Sequence, residues 1–174
     1  MKRIQPSALV LIACAFASRA QPAQAVLDPQ VVIHDIEVRT RAVHETADSL
    51  SVSDHDPRVS LTFRNIKLAD ISDQMNAIDR DLRFLDAHKA RLAPWEVEAI
   101  GQSAPWMVQT AIDTDAAIEA LKNESTHLAF APNYNSDVEK IVADSTKAQR
   151  VLHDYLKLQS ARKQEHRAVN DLGL

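Results

Sequence analysis

Seven histidines, three methionines and one cysteine are the residues of this chain best suited to hold a metal or a cofactor. The histidines are His34, His44, His55, His88, His127, His153 and His166. A helical zinc site presents two histidines at i and i+4, and no pair here has that spacing. A diiron bundle needs two Glu-x-x-His motifs with further inward glutamates, whereas Glu124 with His127 is the one such pair in the chain. Asp54, His55 and Asp56 could hold a divalent ion weakly, but an Asp followed by Pro57 is better used as a helix cap. A haem held by Met and His would draw on Met75 or Met107 with His153, yet methionines at core spacing are gap-filling side chains first, and covalent attachment would need Cys-x-x-Cys-His.

Acid–base and nucleophilic chemistry find no better footing. There is no Gly-x-Ser-x-Gly elbow, and two glycines in 174 residues leave no glycine-rich phosphate loop. Asp79 with Asp81, and Asp113 with Asp115, project from different sides of a helix and read as solvated charge. Asn123, Glu124 and Ser125 spell a glycosylation sequon. The expectation is a protein with no catalytic residue, no metal and no cofactor.

Residues 1–25 read as an export segment: Lys2 and Arg3 precede an apolar run from Ala8 to Ala17 and an alanine-rich stretch. A run of about ten residues is too short for a spanning helix, which takes roughly twenty. Small residues at Ala23 and Ala25 place signal cleavage after Ala25, with Ser18 and Ala20 as the other small pair. Leu11, Ile12, Ala13 and Cys14 offer an alternative, a lipobox whose cysteine would be acylated to make a membrane-anchored lipoprotein. Cleavage after Ala25 would remove the one cysteine, and with it any disulfide or thiol chemistry. It would also remove Lys2, Arg3 and Arg19 and no acid, taking the net charge from −4 to −7. An acidic exported chain is a poor nucleic-acid binder, because phosphate contacts need clustered Lys and Arg. Lys157, Arg162, Lys163 and Arg167 do gather near the C terminus, where positive charge complements a helix dipole.

With 45% apolar and 25% charged residues the chain can bury one core, and scarce glycine implies few tight turns and long helices. Asp28-Pro29 and Asp56-Pro57 are helix starts, Pro94 with Glu96 and Glu98 is a third, and Ser136 with Glu139 makes a capping box. Between these marks apolar residues return every three and four positions. The first segment gives Ile33, Ile36, Val43, Ala47 and Leu50. The second gives Leu61, Leu68, Ile71, Met75, Ile78, Leu82, Leu85 and Leu92, broken by Arg64 and Lys89. The third gives Val97, Ile100, Ala104, Met107, Ala111, Ile118, Leu121 and Leu128, and the last gives Val138, Ile141, Ala148, Leu152 and Tyr155. Such repeats predict coiled-coil-like packing. Residues 26–174 are expected to form one all-α domain, an elongated up-down-up-down four-helix bundle with helices over about 29–52, 57–92, 94–124 and 136–168. A helical hairpin that dimerises to complete its core is the alternative. Gly101 and Pro105 should bend the third helix. Trp95 and Trp106, eleven residues apart, fall on nearly one face, and with Phe130 and Tyr134 they are the candidate contact residues for a partner.

The stretch from Arg64 to Leu158 resembles a group of small exported bacterial helical-bundle proteins. The resemblance is carried by Leu68 through Leu85 with Asn76 between them, Ala93-Pro94-Trp95, Ala99-Ile100, Ala104-Pro105, Ala117-Ile118, Leu121 and the turn from Pro132 to Tyr134. It implies the bundle fold and export and adds nothing about activity. The sequence therefore points to a non-catalytic envelope protein that contacts an unknown protein partner or itself. The alternative is a periplasmic bundle binding a ligand or cofactor such as haem or a metal.

Overall fold

The computed structural model describes residues 28–53, 56, 58–123 and 132–171. It is an all-α four-helix bundle: α1 (Pro29–Ser53), α2 (Leu61–Ala87), a 3-10 turn (Lys89–Arg91), α3 (Pro94–Asn123) and α4 (Pro132–Asp171). No strand occurs among the described residues. At 1.5 Å per residue the helices run from roughly 38 to 60 Å, so the bundle is a rod. Each helix packs against its sequence neighbours and α4 closes back on α1, while the α1–α3 diagonal touches little. Antiparallel order is visible in the side-chain pairs. Thr146 meets His44, Lys163 meets Gln30, and Arg39 of α1 reaches Gln74 and Asp81 of α2.

The starts follow the chemistry of unsatisfied amide groups at helix ends. Asp28 accepts from the Gln30 N–H at 3.0 Å. The chain at Asp56 turns instead of entering a helix: its carboxylate takes the Arg58 N–H and guanidinium, and Ser60 caps α2 by accepting from Phe63 N at 3.1 Å. Residues 58–60 are therefore outside the helix expected from 57, and α2 is also shorter at its far end. There the His88 ring nitrogen Nδ1 sits 2.8 Å from the Phe84 carbonyl and closes the last turn. Glu96, 3% exposed, reaches back to accept from Ala93 N at 2.7 Å, the acidic half of a capping box at the proline-led start of α3.

Two further boundaries differ from expectation. The α4 helix begins at Pro132, four residues before Ser136, and Ser136 and Glu139 lie exposed within it. Burial decides this: Tyr134 is 0% exposed and continues the spacing Tyr134, Val138, Ile141, Ser145, Ala148, Leu152 back by a full turn. The buried Arg64, which breaks the apolar seam of α2, lays its guanidinium 5.4 Å from the Tyr134 ring centre. At the other end α4 continues to Asp171 and carries no base in its last turn. Arg162 and Lys163 thus lie more than one turn inside the helix, beyond the short reach of the dipole.

Most core positions of α1, α2 and α4 are the expected ones, with Thr40 and Arg64 completing the spacing, while Leu61, Leu82 and Tyr155 are half-buried and Leu92 lies beyond α2. Those of α3 are so only in part: Met107 and Leu121 are buried as expected, but Val97, Ile100, Ala104, Ala111 and Ile118 are half-buried, and the inward side is completed by Glu96, Ala99, Ser103, Thr110, Asp113, Thr114 and Ala117. The reason is side-chain size. Ala99, Ser103, Thr110, Thr114 and Ala117 let α3 lie close to α4, the most extensive helix pair in the bundle, and turn the larger apolar residues toward α2. The buried hydroxyls cost little because each donates within its own helix: Thr40 to Ile36 O, Ser103 to Ala99 O, Thr110 to Trp106 O and Thr114 to Thr110 O, all at 2.7–2.8 Å. The α3 helix is continuous through Gly101 and Pro105.

A leucine at position 99 should wedge α3 from α4. Ala99→Leu is expected to lower stability by about 1–3 kcal/mol. Gly101→Ala, whose added Cβ meets nothing within 4 Å, should raise it by up to about 1 kcal/mol. Urea unfolding followed by circular dichroism reads both.

Candidate functional site

Rotating small residues inward on α3 leaves an apolar row on its other flank. Gly101, Pro105, Val108, Ile112 and Asp115 follow one another at spacings of four and three, and all are exposed, Val108 to 58% and Ile112 to 54%. Beside this row α2 and α3 touch least of the four adjacent pairs, and two clefts open between them. One of about 160 Å³ is lined by Leu82, Leu85, Lys89, Ile100 and Gly101 among others. The second, about 320 Å³, lies further along, between Met75, Ile78 and Leu82 on α2 and Met107, Val108 and Ile112 on α3. Leu82 lines both, so they form one seam along the bundle. Asp79, Asp86 and Asp115 stand on its edges.

The residues expected to form a contact patch do not come together. Tyr134 is fully buried and belongs to the core, which removes it from any surface. Trp95 is half-buried, and Trp106, 36% exposed, carries the Lys147 ammonium 4.2 Å over its ring. Lys147 is itself held by Asp144 at 2.8 Å, so this indole is packed under a neighbouring helix's side chain. Phe130 and Cys14 lie outside the described residues, as do His55, His127 and Glu124.

The cofactor arrangements weighed from the sequence can be tested against these positions. Met75 and Met107 wall the same α2–α3 cleft. His153 lines a different one between α1 and α4, with Arg41, Thr146 and Arg150, so the residues do not fit a Met–His haem. His88 is committed to the Phe84 carbonyl, His44 to Thr146, and His34 and His166 are exposed. Among the described residues no group of three His, Cys, Asp or Glu side chains is placed to hold a metal ion.

One ionisable group stands out for its environment. Asp113 is 5% exposed on the α3–α4 seam; Oδ1 accepts from Gln109 at 3.1 Å, and Oδ2 has no hydrogen-bond partner among the described residues. Burial pushes its carboxyl above the usual range, Asp144 and Asp137 of α4 add to that, and Gln109 and Lys140 oppose it. The cations nearby are already paired, Lys140 with Asp137 at 2.7 Å and Lys147 with Asp144. Asp81 is raised too, by burial, against the pull of Arg39. Lys140, whose amine acts on Asp113, is held by Asp137, so the group reads as part of the packing.

A carboxyl whose folded pKa exceeds its unfolded value favours folding in its protonated form, and that contribution disappears as pH rises through the folded pKa. Asp113→Asn should therefore stabilise the protein at neutral pH by about 1 kcal/mol, or roughly 2–4 °C in melting midpoint. The gain should vanish below about pH 4, where the unfolded-state aspartate is also protonated. Thermal melts of both chains across that pH range measure it.

Comparison with protein-family models, curated protein sequences and solved structures returned no match to this chain.

Proposed function

We propose that the protein is a non-catalytic module of the cell envelope, exported by its N-terminal segment, whose long bundle presents a side face for contact with another protein or with itself. The observation that carries this reading is the apolar row of Val108 and Ile112, more than half exposed beside the α2–α3 seam. Large apolar side chains clustered on a surface mark contact sites. Supporting it, the core hydroxyls of α3 donate to their own helix backbone. The export half rests on the basic, apolar and small-residue pattern of residues 1–25. The resemblance to small exported helical proteins agrees with the export half. No described helix is long and apolar enough to cross a membrane.

A ligand-binding bundle is the second reading, and the cleft of about 320 Å³ walled by two methionines is what favours it. An apolar molecule would suit those walls better than a metal or a haem.

Fractionation of the native host is expected to place the chain in the envelope with Val26 at its mature N terminus and with Cys14→Ser causing no change in location. A full-length chain kept in the cytosol would end the export reading, and an acylated Cys14 would replace cleavage after Ala25 with a lipid anchor. A photo-crosslinker at Ile112 should give a discrete adduct in the envelope, and one at Asp48, exposed on α1, should not. A small molecule co-purifying with the protein in place of any adduct would favour the second reading.

A further inference from the structure

The cleft between α1 and α4, on the side of the bundle away from the α2–α3 seam, is lined among the described residues by polar side chains alone. Arg41, Thr146, Gln149, Arg150 and His153 form it, and its volume is about 340 Å³. The register of the two helices makes these residues neighbours. His44 meets Thr146 at 3.2 Å, and one turn from that contact Arg41 stands level with Gln149 and Arg150 on the antiparallel α4. Clefts that hold apolar ligands are walled by apolar side chains. This one suits a charged molecule.

Arg41, Arg83, Lys122, Lys140 and Lys147 are each held by an acid one turn before them in their own helix. One turn before Arg150 stand Thr146 and Lys147, and one turn before His153 stand Gln149 and Arg150, so neither has such an acid. No ion pair engages Arg150 or His153 among the described residues, although Asp154 lies four residues past Arg150. Thr146 gives its hydroxyl proton to the Val142 carbonyl at 2.6 Å, which leaves His44 Nδ1–H to donate to it. The donors left to face the cleft are the two guanidiniums, the His153 ring and the Gln149 amide. Like charges gathered at one place repel, and an anion between them relieves the repulsion.

We infer that this cleft binds a phosphate monoester, free or carried on a larger molecule. Glu37 balances Arg41, so the uncompensated charge is that of Arg150, joined by His153 when its ring is protonated. A phosphate monoester brings about −1.5 to −2 charges at pH 7 and three acceptor oxygens, which meet donors arriving from both helices. A carboxylate brings one charge and two oxygens, fewer than the donors present. The planar fork of Arg150 holds two phosphate oxygens at once. The inference goes beyond the interaction reading and stands whatever covers Val108 and Ile112.

The test is calorimetric titration at pH 7 of the chain as its host processes it, with inorganic phosphate, glycerol 3-phosphate and acetate. Co-sedimentation with phosphatidylcholine vesicles, with and without phosphatidic acid, runs beside it. Glycerol 3-phosphate should bind saturably and at least about tenfold more tightly than acetate. Arg150→Gln should weaken it at least about tenfold, and Arg150→Lys should recover only part of the loss, because an ammonium keeps the charge and loses the fork. His153→Gln should weaken it several-fold. Lys157→Gln, which alters an exposed cation one turn further along α4 and outside the cleft lining, should change the affinity less than about twofold. The substituted side chains are exposed, so the melting midpoints of all variants should stay together. Free ester bound without retention on phosphatidic acid vesicles makes a soluble phosphate the source, and retention in addition makes it a lipid headgroup. No saturable binding of either phosphate below about 10 mM, equal affinity for acetate, equal losses in Arg150→Gln and Lys157→Gln, or vesicle retention without binding of the free ester would each overturn the site.

Discussion

The close approach of α3 to α4 is the constraint from which the rest of this molecule follows. Ala99, Ser103, Thr110, Thr114 and Ala117 put small side chains between the two helices, and α4 answers with Ser145 and Ala148. Two helices that pack this tightly fix the rotation of α3 about its axis. Val97, Ile100, Ala104 and Ala111 then turn toward α2, where they are only half-covered, and Val108 and Ile112 are carried past α2 into solvent. The cleft, the exposed row and the open space above Gly101 are consequences of that single rotation.

The same constraint explains why the buried polar groups are structural. Serine and threonine are acceptable in a close helix–helix seam because they are small and because a hydroxyl can donate to the carbonyl one turn back. Ser103, Thr110 and Thr114 do so on α3 at 2.7–2.8 Å. Asp113 is the exception, partly satisfied by Gln109 and held among the carboxylates of Asp137 and Asp144 by two helices that have no slack to move apart. At the end of the bundle where α2 begins, Arg64 occupies an apolar position of α2 because the Tyr134 ring gives its guanidinium an aromatic face to rest on. In both places packing geometry was satisfied first and the polar atoms were accommodated afterward.

Contact with a partner, on this reading, belongs to a surface and not to a pocket of converging groups. The described histidines are spread over α1, the end of α2 and α4, and the two clefted methionines lie across the bundle from His153. What the fold does concentrate is apolar area with charges at its margins, on one long flank.

Much of this was legible in the residues themselves. The number of helices, their antiparallel order and the core of α1, α2 and α4 follow from apolar side chains at three- and four-residue spacing, because that period leaves a helix one face to hide and short connections leave it one neighbour to hide it against. The caps at Asp28 and Glu96 could be read for the same local reason: they satisfy amide groups within four residues. The start of α4 could not, since Ser136 and Glu139 compose a cap on paper while the burial of Tyr134 draws the helix back to Pro132. Nor could the rotation of α3. Its sequence offers two apolar stripes, one large and one small, and hydrophobicity alone favours the larger. Only the tertiary structure selects the smaller, because the distance between α3 and α4, and not the greasiness of either helix, decides which side faces in.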